Sequence, residues 1–239
     1  MRYDFDEITE RSGTASFKYD MRGRIFHNEN VIPMWVADMD FKTPPFIIEA
    51  LRKRLEHEIL GYSCIMPSFA LSACEWIEKR HNWKADPSWI RFTPGVVPAI
   101  TMAVLAFTDP GDRVLIQPPV YFPFFSVVKN TGRMVVTNPL KYNSKNYAID
   151  FDDLEAKASE GVKMMILCSP HNPTGNVWSR DDLFRICDIC ARNNILLISD
   201  EIHADLVYSG HRHIPAALPA DEAHTNIITC MSPSKTFNI

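Results

Sequence analysis

The sequence predicts an α/β fold, a mainly parallel sheet whose strands are joined by crossover helices. Short β-rich runs recur along the chain, and several are apolar throughout, such as MMILC (164–168) and ILLIS (195–199). Unbroken rather than alternating hydrophobicity suits strands covered on both faces. Helical stretches separate these runs, which is the order a parallel sheet requires. The length, 239 residues, allows one large domain or two small ones, and 46% apolar with 23% charged residues is enough to bury a core.

The elements follow in order. Residues 1–44 read as an irregular arm with an apolar patch at Val31–Ala37, and residues 45–239 as the large domain. A helix is expected next, capped by Thr43, with Pro44 in its first turn. Phe46, Ile47, Ala50, Leu51 and Leu55 recur at helical spacing, and Gly61 is its expected stop. A second helix covers about Phe69 to His81. Strands are expected at Trp89–Phe92, Arg113–Ile116, Met134–Thr137, Lys163–Cys168, Ile195–Ser199 and Asn226–Cys230. Helices are expected at Val96–Phe107, Phe122–Asn130 and Asp181–Asn193, the last opened by the S-x-x-D signal of Ser179 and Asp182.

Composition narrows the function classes. With 25 basic and 29 acidic residues the net charge is −4, which argues against a nucleic-acid binder held by a general positive field. The longest nearly apolar stretch, Val96–Phe107, is 12 residues, against about 20 for a bilayer span, so no membrane partner is expected. The opening MRYDFDEITERSG is charged and has no apolar signal core. Six cysteines are too sparse for a disulfide scaffold. Cys187 and Cys190 form a CDIC run, but mid-helix, with no second pair and no histidine at ligand spacing, so no metal site is expected. Reduced thiols and a cytoplasmic protein follow.

In sheets of this kind ligands bind beyond the carboxyl ends of the strands. The residues just past each run are Thr93-Pro94-Gly95, QPPVY ending at Tyr121, SPHNPTG containing Asn172, Asp200 with Glu201 and His203, and MSPSK ending at Lys235. Singly each has an ordinary reading. TPG is a turn before a helix, Asp-Glu after a strand is a solvated loop, and a lone tyrosine, histidine or lysine is packing or surface. Their succession at strand ends is the signal. Gly95 and the helix start at Val96 and Val97 can offer backbone N–H groups to a phosphate, with Ser232 and Ser234 adding hydroxyls. Tyr121 can stack on a planar ring. Asp200 can pair with a protonated ring nitrogen, and Lys235 can form an imine with a carbonyl. Phosphate, ring, ring nitrogen and aldehyde together describe pyridoxal 5′-phosphate.

With these residues in view, the chain resembles the fold type I pyridoxal-phosphate enzymes of the class I/II aminotransferase superfamily. The resemblance rests on SPHNPTG (Ser169–Gly175), SDEIHADLVY (Ser199–Tyr208) and SPSKTFN (Ser232–Asn238). The finer resemblance is to the MalY/PatB-type C–S lyases, which include cystathionine β-lyases. It rests on Tyr3–Asp20, IPMWVADMDF (Ile32–Phe41), LGYS (Leu60–Ser63), FTPGVVPAI (Phe92–Ile100), QPPVYFPF (Gln117–Phe124) and His203.

That resemblance implies a role for each matching position. Lys235 matches the Schiff-base lysine that also moves the α-proton. Asp200 matches the partner of the pyridine nitrogen, Asn172 the residue bonded to the phenolic oxygen, and Tyr121 the one stacked on the ring. Val96 and Val97, with Gly95, Ser232 and Ser234, match the phosphate site, and His203, three residues after Asp200 where many aminotransferases have tyrosine, is counted with the cofactor-binding residues. Tyr62 matches a residue that reaches the neighbouring subunit's phosphate, which implies a homodimer. Trp35, Val36, Ala37 and Asp38 match the segment beside the substrate carboxylate. The implied reaction is α,β-elimination of a sulfur amino acid. An aminotransferase is the alternative within enzymes, and a regulatory or protein-binding role the alternative outside them. Family members are longer, so the resemblance leads us to expect a chain truncated at its C-terminus. Two further arginines, a returning strand and most of the small domain would then lie past Ile239.

Overall fold

The computed structural model describes residues 4–239, which divide into two compact units, 4–63 with 233–239 and 64–232. In chain order the first unit opens with α1 (Phe17–Asp20), α2 (Arg22–Phe26) and α3 (Pro45–Leu55). The second unit holds α4 (Pro67–His81), α5 (Val96–Phe107), β1 (Arg113–Ile116), α6 (Pro123–Asn130) and β2 (Met134–Thr137). It continues with the hairpin β3 (Lys141–Tyr142) and β4 (Tyr147–Ala148), then α7 (Phe151–Ala158), β5 (Val162–Cys168) and α8 (Arg180–Arg192). It ends with β6 (Leu196–Asp200), α9 (Ala217–Glu222) and β7 (Ile227–Cys230); α10 (Pro233–Phe237) belongs to the first unit.

In the first unit the arm is tied by charge. Arg11 pairs with Asp38 and Asp40, and the buried Lys18 donates to Asp40 Oδ2 at 2.9 Å and to the Asp38 carbonyl at 3.0 Å. The Trp35 indole donates to the Lys18 carbonyl at 3.2 Å, and its ring rests between Phe17 and Phe26. Thr43 does not cap α3. Pro44 takes the cap position, no side chain closes it, and the Ile47 N–H turns back to the Pro44 carbonyl. The helix also stops at Leu55, before Gly61, on a last turn carrying Arg52, Lys53 and Arg54, the charges that favour a helix C-terminus.

The second unit is built on a five-stranded, wholly parallel sheet in the order β2-β1-β5-β6-β7. Side chains alternate faces along a strand, and here both faces are filled. Val114, Ile116, Met164, Ile166 and Ile198 meet Ile100 and Val104 of α5 and Phe124 and Val128 of α6. Leu115, Met165, Leu167 and Leu197 meet Leu154 of α7 and Leu183, Ile186 and Ile189 of α8. That double cover explains the unbroken apolar runs. The predicted cap of α8 is present in both directions. Ser179 Oγ accepts from the Asp182 N–H at 3.1 Å, and Asp182 Oδ2 accepts from the Ser179 N–H at 3.2 Å. Cys187 and Cys190 lie on the buried face of that helix as core residues.

The expected strand at Trp89–Phe92 is absent. Asp86 Oδ1 accepts from the Ser88 N–H at 2.8 Å and opens a 3₁₀ turn at Pro87–Trp89, and the Ile90 N–H closes onto the Pro87 carbonyl. Trp89 and Phe92 are exposed, and no ladder pairs them. A β-rich run without a neighbouring strand has no hydrogen-bond partners to hold it extended. Among the described residues no helix is long and apolar enough to cross a membrane.

Candidate active site

The carboxyl ends of the sheet gather most of the predicted residues of the second unit. Asp200 is the last residue of β6 and is 3% exposed. The register sets it between Cys168 at the end of β5 and Cys230 at the end of β7. Residues level with one another on parallel strands point to the same face, so a carboxyl stands between two thiols. The Ile202 N–H donates to Asp200 Oδ1 at 3.1 Å, and among the described residues no cationic side chain forms an ion pair with Asp200. Burial pushes this carboxyl up to about 6, against the pull of that N–H and with the Glu201 charge adding to the rise. Burial, then the nearness of Asp200, pushes the Cys168 and Cys230 thiols up to about 12.

Tyr121 lies past β1, half-buried, with its ring edge-on to Phe124 at 6.0 Å. Its hydroxyl is raised by burial and then by the Asp200 charge, which ties the two into one electrostatic neighbourhood. Asn172 lies in the turn past β5, and its N–H donates to Cys168 Sγ at 3.3 Å. His171 beside it is buried, with Nε2 2.9 Å from the Pro119 carbonyl oxygen and its ring edge-on to Trp178, whose indole donates to the Cys168 carbonyl. Burial holds the His171 ring below its ordinary value. His203 is half-buried in the turn after β6, and Ser232 is half-buried just past β7.

Gly95 opens α5 at φ +143, a backbone conformation that only glycine adopts without strain. The first intrahelical bond runs from the Ala99 N–H to the Gly95 carbonyl at 3.0 Å. Pro98 has no N–H, so the orphan donors of this helix start are those of Val96 and Val97. The α5 dipole adds partial positive charge there, and an anion is the matching ligand.

Glu201 departs from the solvated-loop reading. It is 1% exposed and accepts from Ser199 Oγ and the Ala216 N–H, each at 2.9 Å, while His213 Nε2 lies 2.7 Å away. The two adjacent acids at the end of β6 are thus unlike: Glu201 is fully bonded into the fold, and Asp200 is left with a single backbone donor. Only the register and the tertiary partners distinguish them. The flanking thiols escape sequence reading for the same reason.

The other predicted residues belong to the first unit. Lys235 is half-buried on α10 and donates from Nζ to the Ala37 carbonyl at 3.2 Å. A cavity of about 360 Å³ is lined by Arg11, Ala37, Asp38, Ser234, Lys235 and Asn238. Val36 is half-buried, Trp35 is partly exposed on its aromatic platform, and Tyr62 is fully exposed. Arg11 and Asn238 are members of this group that the sequence offered only inside longer motifs, with no spacing signal of their own.

Comparison with known proteins bears on these residues as a set. The family described as "Aminotransferase class I and II" matches residues 29–239. "Cystathionine beta-lyase PatB" of Bacillus subtilis (strain 168) is 48% identical over 237 residues, covering 99% of this chain and 61% of that protein. "Protein MalY" of Escherichia coli (strain K12) is 34% identical over 239 residues, covering 99% of this chain and 60% of that protein. The crystal structure of cystalysin from Treponema denticola, which contains pyridoxal 5′-phosphate, superposes with a TM-score of 0.94 at 41% identity, covering all of this chain and 61% of that one. The chain therefore spans about three fifths of the length of the relatives it matches.

Proposed function

We propose that this chain, which belongs to the class I and II aminotransferase family, forms the larger part of a pyridoxal 5′-phosphate-dependent C–S β-lyase. The residues fit that cofactor. Asp200 is a buried acid with no cationic partner among the described residues, and a protonated ring nitrogen supplies one. The orphan N–H groups of Val96 and Val97 suit its phosphate, with the hydroxyls of Ser232 and Ser234. Tyr121 offers a ring to stack on it, and the Asn172 amide a donor for its phenolic oxygen. His203, on the turn after Asp200, completes this side.

When bound, the cofactor supplies an electron sink for the pair left as the substrate Cα–H bond breaks. The residues do the rest. Asp200, as carboxylate, holds the proton on the ring nitrogen. Lys235 would hold the cofactor through its amine, and as a free amine it would take the proton from the substrate Cα. Trp35, Val36, Ala37 and Asp38 flank the substrate carboxylate. The Cβ–S bond then breaks, a thiolate leaves, and water takes the remaining three-carbon unit to pyruvate and ammonia. L-Cystathionine would give homocysteine.

The observation that carries the cofactor assignment is the buried, unpaired Asp200 at the sheet's carboxyl edge. The 48% identity to a cystathionine β-lyase supports the reaction class. We assign the intact protein to the cytoplasm, a sulfur amino acid as its substrate, and a homodimer in which Tyr62 reaches the phosphate of the neighbouring subunit. The division into an arm (1–44) and a cofactor-binding large domain (45–239) belongs to the same proposal. The test is release of pyruvate and thiol from L-cystathionine by the intact, cofactor-loaded protein without a keto-acid acceptor. Product that appears only with a keto acid, and as a transferred amino group, would favour an aminotransferase instead.

A further inference from the structure

We infer that Asn238 is a positioning residue that sets where Lys235 points. This rests on the reading of Lys235 given above. Three residues past that lysine, Asn238 follows the end of α10 at φ +56, a left-handed conformation that asparagine tolerates better than most side chains. Its carboxamide meets one backbone residue with both ends. Oδ1 accepts from the Met39 N–H at 2.9 Å, and Nδ2 donates to the Met39 carbonyl at 3.2 Å. This is the pairing a neighbouring strand would make, supplied by a side chain.

Met39 is two residues from Ala37, whose carbonyl accepts from Lys235 Nζ at 3.2 Å. The stretch Ala37–Met39 is thus joined to the lysine-bearing segment at two points, one at the ammonium and one past the helix end. Arg11 Nη1 donates to the same Met39 carbonyl at 3.1 Å and pairs with Asp38 and Asp40, so the stretch is fixed from its other side as well. The tether stands at the wall of the 360 Å³ cavity that Ala37, Asp38 and Lys235 also line. A lysine has four rotatable side-chain bonds, and a long flexible stem delivers an amine accurately only when its base and its resting acceptor are held together. Asn238 does that holding.

The test compares the intact protein with Asn238→Gly and Asn238→Asp. Glycine keeps the left-handed backbone and deletes the amide. Aspartate keeps the acceptor and replaces the donor with an oxygen that faces the Met39 carbonyl. Three readouts are taken: amide exchange at Met39, acetylation of Lys235 by trace acetic anhydride without cofactor, and kcat against KM with L-cystathionine in the loaded protein. In Asn238→Gly we expect Met39 exchange and Lys235 acetylation to rise about tenfold, and kcat to fall about tenfold with KM nearly unchanged. Asn238→Asp should fall between the two. A general loss of stability would not split kcat from KM in active-site-corrected protein. Unchanged Met39 exchange in Asn238→Gly would overturn the tether. Faster exchange with wild-type acetylation of Lys235 would overturn the positioning role. If the wild-type protein elutes without activity while the first two readouts respond as expected, the lyase reading fails and the tether stands.

Discussion

At the scale of single residues, Asp200 carries the sharpest consequence. Its carboxyl is moved by burial from an ordinary 3.8 to about 6. Between those values the native state holds more protons than the unfolded one, so stability is fully present below about pH 4 and falls as pH rises through about 6. At about 1.4 kcal/mol per pH unit the ionised group costs the cofactor-free fold about 3 kcal/mol. Asp200→Asn should therefore stabilise the cofactor-free protein at about pH 8 by about 1–3 kcal/mol and by almost nothing at about pH 3.5, measured by urea unfolding. The same variant should lose at least about tenfold in turnover, because a neutral amide holds the ring proton less firmly than a carboxylate. Equal stability of the two proteins at both pH values would show that Asp200 is not strained by burial. Lys235 is tested covalently: borohydride reduction of the loaded protein should leave a pyridoxyl group on Lys235, and an adduct on another lysine would remove it from its role. Asp200, Tyr121 and Lys235 each end a recognisable run and Asn172 lies inside one, which is why the sequence singles them out as candidates. Cys168 and Cys230 are not singled out, because their place beside Asp200 is a matter of strand register, which no local pattern encodes.

At the scale of elements, legibility tracked length and cover. The bounds of β1 and β2, and of α5, match the runs read from sequence, and β5, β6 and β7 differ from theirs by a residue or so. Long, doubly covered segments leave a strong periodic or continuous signal. The short α7, α9 and α10 and the β3–β4 hairpin left none: α7 buries only Leu154 and Ala158, and β3 is wholly exposed. The run at Trp89–Phe92 misled because β propensity describes a fit to neighbouring strands, and none lies there. Two substitutions test element starts. Ser179→Ala removes one half of the α8 capping box and should cost about 1 kcal/mol in urea unfolding. Gly95→Ala places a side chain at φ +143 and should destabilise by about 1 kcal/mol or more. The new Cβ would lie 3.5 Å from Pro98 Cδ, an ordinary contact, so backbone strain and not crowding is the cause. It should also weaken retention of the phosphate, read as faster loss of cofactor on dialysis.

At the scale of the whole molecule, the exposed apolar residues call for partners. Phe46, Leu51 and Leu55 on α3, then Ile59, Leu60, Tyr62, Ile65 and Met66, are each exposed, although Arg52–Arg54 and Glu56–Glu58 interrupt them along the chain. Large apolar side chains left in water in such number favour association. Residues 1–239 expressed alone should therefore self-associate, with light scattering above the monomer mass, and should retain cofactor poorly. A monodisperse monomer with stoichiometric cofactor would contradict that. The sheet itself offers a way to watch the fold come apart. Cys168 and Cys230 lie in the layer beneath α5 and α6, whereas Cys187 and Cys190 lie on the buried face of α8, in the core layer on the sheet's other side. All four are buried, and their thiols are raised too far to react while they stay so. Each pair is thus a silent chemical clock for its own side of the sheet. Pulsed alkylation, read by mass spectrometry peptide by peptide, will date the opening of the two sides separately, with Cys64 as the always-labelled reference.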